Sequence, residues 1–394
     1  MLNKNTFIEI DYDQQCKNGQ NSPGDVFLSS RNEAENRTVC VLADGLGSGV
    51  KANVLATLTA TMAVKYIMSD IDIREASEII MSTLPICSQR KIGYSTFTIL
   101  DIDSDGNVRV IEYDNPPYIL LRDGEKVEID KTRISIKTIN KERRDVFYSS
   151  FKAKHGDRTV VYTDGVSQSG MGSDKTPFGW GDKATEHVLG LCKKDLSVSA
   201  KSLSRNLVLK ALKNDQNTAK DDITCAAVNF RKPRKLLVVT GPPFNKEMDS
   251  EIGNMLRDFA GKKIICGGTT ANIVSRQLDR PIEVMLNTAR ENVPPMAKME
   301  GINLITEGTL TLNEAAEILT RGSDPERLDT NAAMKLVRNL LESDIISFVV
   351  GTRINEAHQN PDLPVDLDIR RNLVKKIADV LNKKYMKKAD LKFI

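Results

Sequence analysis

At residues 231–235 the chain reads Arg-Lys-Pro-Arg-Lys, and the rhythm of apolar residues differs on its two sides. Before it, β-rich runs dominate, at 39–43, 94–100, 108–112, 118–122, 126–129, 158–162 and 223–230. Several join through short turns such as SDGN and RDGE, which predicts antiparallel hairpins. Helical patterns come in blocks, at 50–68, 73–83, 183–192 and 197–213. In the first, Val54, Leu55, Leu58, Met62 and Ile67 fall roughly on one face and are the expected core side. Segregated strands and helices imply α+β architecture, with helices packed on antiparallel sheet.

After the charged segment, strands and helices alternate. Strands are expected at 236–240, 263–266, 302–305 and 345–350, with further extended residues around Val284. Helices are expected at 249–259, 271–278, 312–320, 331–342 and 366–383. That order predicts a separate α/β domain with a mostly parallel sheet. A length of 394 residues leaves room for two or three domains, and the expected division is 1–231 and 235–394, with the boundary near 232.

Composition excludes several classes of function. Lysine and arginine total 56 against 53 acids, so a net charge of +3 advertises neither nucleic acid nor an anionic membrane as partner. No apolar run is long enough to span a bilayer. The first residues carry acids and amides where a signal peptide needs its apolar stretch, so a cytoplasmic location is expected. Cysteines at 16, 40, 87, 192, 225 and 266 have neither zinc-knuckle nor CxxC spacing. Cys40 and Cys225 sit in apolar runs and read as buried thiols. Three scattered histidines (His155, His187, His358) argue against a histidine-built metal site. Any metal should be a hard cation held by carboxylates.

Four acidic motifs supply such carboxylates: Gly24-Asp25-Val26-Phe27, Asp44-Gly45-Leu46-Gly47-Ser48-Gly49, Thr163-Asp164-Gly165 and Asp221-Asp222-Ile223-Thr224. Asp44 and Asp164 follow expected strands, and Asp221 precedes one. Aspartates at strand ends can converge on one rim of a sheet, and all-oxygen ligands suit Mg²⁺ or Mn²⁺. Taken singly, each Asp-Gly pair also reads as an ordinary turn. Asp101-x-Asp103-x-Asp105-Gly106 with Glu112 fits an EF-hand loop at its acidic positions. Its flanks, STFTIL and VRVIEY, alternate like strands, which predicts a hairpin turn instead.

With these motifs in order, residues 24–228 resemble the metal-dependent serine/threonine protein phosphatases of the type 2C superfamily. Within it they are most similar to the stage II sporulation protein E branch, which includes the RsbU-like phosphatases. The resemblance rests on GDVF, DGLGSG opening a long helix, STFTILDID, the NPPYILLRDG hairpin, VVYTDGV and DDITCAAV. Ser48 stands where many relatives have histidine, and Asp114-Asn115 where many have Gly-His. The resemblance implies a four-layer α-β-β-α sandwich with a binuclear centre of two Mn²⁺ or Mg²⁺ ions. It casts Asp25 and Asp44 as catalytic, and Asp25, Asp44, the Gly45 carbonyl, Asp164 and Asp221 as metal ligands. Asp222 either orients the site or begins the strand.

The implied activity is hydrolysis of phosphoserine or phosphothreonine in a phosphoprotein, for which an anti-sigma-factor antagonist is one candidate. Two alternatives stay open: an inactive phosphatase-like scaffold, and a small-molecule-binding α/β protein with an accessory phosphatase domain. The oligomeric state is open too, with a homodimer among the options. In the second half, Gly267-Gly268-Thr269-Thr270 follows a short strand and opens a helix. A glycine turn at a helix N-terminus suits an anion, or it is a plain strand-to-helix turn. Residues 306–308 and 351–353 are similar strand-end turns, and a parallel sheet would gather the three at its carboxyl edge. The second domain is expected to regulate the first or to bind a ligand or partner.

Overall fold

The structure is a computed structural model and describes residues 6–32, 34–83, 95–137, 143–174, 176–285, 295–322, 331–353 and 365–394. Cys87, Tyr94 and His358 lie outside the described residues. The chain divides into two compact units, Met1–Lys232 and Pro233–Ile394.

Unit 1 is built on two antiparallel sheets. One has the order β1 (Phe7–Gln15), β11 (Ile223–Arg231), β10 (Arg158–Tyr162), β6 (Ile119–Arg122), β7 (Glu125–Val127). The other runs β2 (Asp25–Asn32), β3 (Arg37–Gly45), β4 (Ser95–Ile102), β5 (Asn107–Tyr113), β9 (Arg143–Lys152), β8 (Thr132–Lys137). Side chains alternate across the sheets as strand geometry requires. Along β3, Cys40 and Leu42 join a core with Leu120, Val161, Ala226 and Val228 of the other sheet. Val39, Val41 and Ala43 point the other way, into a core with helices α1 (Val50–Met68) and α2 (Ile73–Thr83). Along β11, Ile223, Cys225 and Ala227 do the same toward α4 (Lys183–Lys194) and α5 (Ala200–Asn214). The result is four layers in the order helix, sheet, sheet, helix.

One expectation is corrected here. Val54 and Leu58 do not face the core: they are 59% and 44% exposed. The buried side of α1 is Ala52, Ala56, Ala60 and Ala63 with Thr59 and Ile67. A stripe of small residues lets the helix axis approach the sheet closely, and close approach buries backbone and Cβ atoms that bulky side chains would hold away. Strands β1, β2, β8 and β9 were not expected from composition. Their residues are half-buried or alternate with polar ones, so no apolar run marks them.

Unit 2 contains one sheet with strand order β14 (Glu283–Met285), β15 (Met296–Met299), β16 (Ile302–Thr306), β13 (Lys262–Cys266), β12 (Lys235–Thr240), β17 (Ile345–Val350), β18 (Lys388–Phe393). The pairs from β16 through β18 are parallel, and the β14–β15–β16 edge is antiparallel. Helices α6 (Asp249–Asp258) and α7 (Gly268–Leu278) pack on one face with Leu237, Val239 and Ile265. Helices α8 (Thr309–Arg321), α9 (Ala332–Glu342) and α10 (Val365–Lys384) pack on the other with Leu236, Val238 and Phe348. Every strand from β12 to β17 that belongs to the parallel portion is therefore covered on both faces, which is why these runs are almost continuously apolar.

Candidate active site

Antiparallel pairing of β2 with β3 sets Asp25 directly opposite Asp44. On the other sheet, β10 ends at Tyr162 and β11 begins at Ile223, so Thr163–Asp164 and Asp221–Asp222 fall together at one sheet end. Two hydroxyls tie the sheets at this place. Thr163 Oγ1 and Thr224 Oγ1 both donate to Asp25 Oδ2, at 2.8 and 2.7 Å. Gln14 Nε2 donates to the Asp25 carbonyl at 3.0 Å and to Thr224 Oγ1 at 2.8 Å. Asp25 is thereby held in one orientation although it is only 2% exposed.

Asp164 opens the short helix α3 (Asp164–Ser167), and its Oδ2 accepts from Gln168 Nε2 at 2.8 Å. Its charge also repels that of Asp44. Asp221 is more open: its side chain is 45% exposed and lies 3.6 Å from Lys17 Nζ. Asp222 has a different task. Its Oδ2 accepts the Gly24 backbone N–H at 2.8 Å and its Oδ1 accepts that of Lys17 at 2.9 Å. Both its oxygens carry backbone bonds, so it positions the strand that begins with Asp25.

Two backbone contacts here are close enough to demand glycine. A Cβ on Gly45 would stand 2.1 Å from the Ala52 carbonyl oxygen, and one on Gly165 would stand 2.0 Å from that of Asp222. Neither contact can be relieved by a side-chain rotation. The glycines that follow Asp44 and Asp164 therefore let α1 and β11 close on the acidic cluster.

The cluster is electrostatically crowded. Burial, with repulsion from Asp222 and Asp164, pushes Asp25 up to about 8 against the hydrogen bonds from Thr224 and Thr163. Burial and the charges of Asp25, Asp164 and Asp221 hold Asp44 well above the ordinary carboxylate range. Burial and Asp221 raise Asp164 as well. Among the described residues, no group of three or more His, Cys, Asp or Glu side chains stands ready-made as a metal cage. The donor set still fits a hard divalent cation: it is all oxygen, and its mutual repulsion is what two added positive charges would relieve.

Other sequence candidates fall elsewhere. Asp101 lies in the β4–β5 hairpin pair and is ion-paired to Arg37 and Arg109. Asp103 accepts the backbone N–H groups of Asp105 and Asn107, both at 2.9 Å, as in an ordinary turn. Glu112 accepts from Tyr118 N and Lys131 Nζ. No EF-hand forms there, because the flanks pair as strands. Asn115 braces strand ends by accepting from Thr96 Oγ1 at 2.6 Å and donating to the Leu42 carbonyl at 3.3 Å. Cys40 and Cys225 are buried free thiols. Gly267–Thr270 belongs to unit 2, where it turns β13 into α7. Sequence reading missed Thr163, Thr224 and Gln14. The two threonines stand within the acidic motifs themselves, which was the available signal.

Comparison with known proteins gives the following. No curated protein matches the chain. Among solved structures, the phosphatase domain of SpoIIE from Bacillus subtilis is 20% identical, covering 58% of this chain and 94% of that one, with a TM-score of 0.42. The RsbU and RsbW domains of a Mycobacterium tuberculosis protein are 19% identical over 64% of this chain and 67% of that one, with a TM-score of 0.43. The catalytic domain of the serine/threonine protein phosphatase PstP, solved with two manganese ions, is 16% identical over 58% of this chain and 100% of that one, with a TM-score of 0.38. Asp44, Asp164, Asp221 and Asp222 lie within residues 34–231, the span that matches the family described as stage II sporulation protein E, and Asp25 lies just before it. This chain belongs to the stage II sporulation protein E (SpoIIE) family.

Proposed function

We propose that the chain is a divalent-metal-dependent phosphoprotein phosphatase acting on phosphoserine or phosphothreonine, with its active site at the joined ends of the two sheets of unit 1. The observation that carries this reading is the opposition of Asp25 and Asp44, with Asp164 and Asp221 at the adjoining end of the other sheet. Asp25, Asp44, Asp164 and Asp221, with the Gly45 carbonyl, would hold two Mn²⁺ or Mg²⁺ ions. When bound, such ions neutralise phosphoryl oxygens and lower the pKa of a water to make a nucleophile near neutral pH.

The protein's own part is positioning. Thr163 and Thr224 hold the Asp25 carboxyl in one rotamer, and Gln168 orients Asp164. Asp222 fixes Gly24, and so the start of β2, against the opposite sheet. Gly45 and Gly165 let the backbone of Ala52 and of Asp222 close on the cluster, where a side chain would hold them away. Among the described residues no helix is long and apolar enough to cross a membrane.

A phosphorylated anti-sigma-factor antagonist is the substrate class we favour, and unit 2 is read as a regulatory or ligand-binding unit. The test is hydrolysis of p-nitrophenyl phosphate and of phosphoserine and phosphothreonine peptides by the full chain. Activity should vanish in EDTA and return with Mn²⁺ or Mg²⁺. Hydrolysis that persists in EDTA, or a chain inert with every divalent ion, would refute the proposal.

A further inference from the structure

Helix α1 turns its small residues toward the sheet and its larger apolar residues toward solvent. Val50, Val54 and Leu58 are 69%, 59% and 44% exposed. They follow one another at four-residue spacing on one side of the helix, a row about 12 Å long at 1.5 Å per residue. From Ala52 to Val64 the helix carries no charged residue, and Thr57 and Thr61 complete its solvent side. The other long helices of unit 1 are built differently: Arg74, Glu75 and Glu78 face solvent on α2, Glu186 and Lys193 on α4, and Lys201 on α5. Close packing explains the alanines on the inner side of α1. It asks nothing of the outer side, where charged residues would serve the fold as well. Single exposed apolar side chains are ordinary, whereas a contiguous row marks a surface that another molecule covers.

The row begins at the acidic cluster. The first turn of α1 is fixed to both strands that carry Asp25 and Asp44. Asn53 Nδ2 donates to the Pro23 carbonyl at 2.8 Å, and the Ala52 backbone closes on Gly45. An exposed lysine stands near each end of the row, Lys51 and Lys65, and neither has an ion-pair partner among the described residues. The surface is therefore apolar along its length and positive at both ends. A second copy of the chain does not complement it. A two-fold pairing of row against row would bring Lys51 of one copy beside Lys65 of the other. The row is also short. Three side chains cover far less than the roughly 800 Å² per partner of a stable interface, an extent that suits a visitor rather than a resident subunit.

We infer that the outer face of α1 is the docking surface for the phosphoprotein substrate. The substrate lays an apolar patch flanked by acidic groups along Val50, Val54 and Leu58 while its phosphorylated residue enters the acidic cluster. The inference rests on the phosphatase reading given above. A phosphoryl group is the same on every phosphoprotein, so discrimination among them has to come from contacts away from it. The outer face of α1 offers such contacts beside the site.

The test compares the full chain, supplied with Mn²⁺, on three substrates: an intact serine-phosphorylated anti-sigma-factor antagonist, a short peptide carrying the same phosphoserine, and p-nitrophenyl phosphate. Wild type should turn over the intact protein with a kcat/KM at least about tenfold above that for the peptide. Val54→Asp and Leu58→Asp should each remove about tenfold of that preference through KM, while Tm and the rates on both small substrates stay at wild-type values. Val54→Ile keeps the apolar surface and should match wild type throughout. Lys65→Glu should lower kcat/KM for the intact protein and weaken its salt dependence. A chain inert on p-nitrophenyl phosphate would refute the phosphatase reading itself. With that activity present, three results overturn the docking inference: intact protein and peptide turned over alike, a preference that survives both aspartate variants, or loss of all three substrates together. Sedimentation of a wild-type dimer that Leu58→Asp dissolves would overturn it too, by assigning the face to a second copy.

Discussion

Asp222 and Gly24, 198 residues apart in the chain, meet through a hydrogen bond of 2.8 Å from the Gly24 backbone N–H to a carboxylate oxygen. The residue after Gly24 is Asp25, so one sheet holds the backbone that aims the other sheet's acid. Asp222→Ala leaves two backbone donors without an acceptor, at a cost of about 1–3 kcal/mol for each that stays dry. We expect a lower Tm together with a fall in kcat, and a milder effect for Asp222→Asn, which keeps one acceptor oxygen. Thermal unfolding and steady-state kinetics of the two variants check this. Wild-type Tm and kcat in Asp222→Ala would show that the bond is incidental.

Asp44 separates function from stability. It is crowded by three carboxylates, so removing its charge removes repulsion in the metal-free fold. Asp44→Asn should therefore unfold in EDTA at the wild-type temperature or above it. Its turnover should drop by about a thousandfold or more, on the order of 4 kcal/mol of lost transition-state stabilisation. Metal content, measured on the same preparations, should fall. An Asn variant with full turnover and full metal content would remove Asp44 from the site.

Gly45→Ala asks a methyl group to occupy space 2.1 Å from the Ala52 carbonyl oxygen. Backbone faces backbone there, so α1 must move or the strand must bend. Overpacking of this kind costs about 1–3 kcal/mol or more. The expected outcome is a depressed Tm with activity lost out of proportion, because the shift occurs beside Asp44. Parallel measurement of unfolding and p-nitrophenyl phosphate hydrolysis would reveal a harmless substitution at once.

The two sides of α1 should respond oppositely to mutation. Val54 and Leu58 are exposed, so Val54→Lys should change stability by no more than about 0.5 kcal/mol. Ala56 is fully buried against the sheet, and Ala56→Leu should destabilise by about 1–3 kcal/mol or prevent folding. Denaturant titration of both variants decides it, and the reverse ranking would restore the face expected from the bulky residues.

A fragment ending at Lys232 includes β11, whose nine residues pair with β1 through to Arg231. Each unit has its own cores, so residues 1–232 should fold alone and keep basal hydrolysis of a small aryl phosphate. Circular dichroism and an activity assay on the fragment are sufficient. Aggregation of the fragment alongside a well-behaved full chain would mean that the halves need each other to fold.

Local features carried much of this in the sequence. The switch from hairpin rhythm to strand–helix alternation surrounds the division between Lys232 and Pro233, because sheet type is written in short-range order. The acidic motifs were readable because aspartate and glycine favour tight turns after strands whatever their use. What the sequence left open were relationships between distant segments. Thr163 and Thr224 reach Asp25 across 138 and 199 residues, and no local pattern encodes that pairing. Asp221 and Asp222 are neighbours with the same chemistry, yet one stands open beside Lys17 and the other spends both oxygens on backbone. On α1, hydrophobicity pointed to Val54 and Leu58, whereas close packing selected the alanines. Sequence by itself determined which elements form and which residue types stand at their ends. Only tertiary structure decided which of those residues face one another, because burial, hydrogen-bond satisfaction and steric fit are settled by whatever the folded chain places alongside.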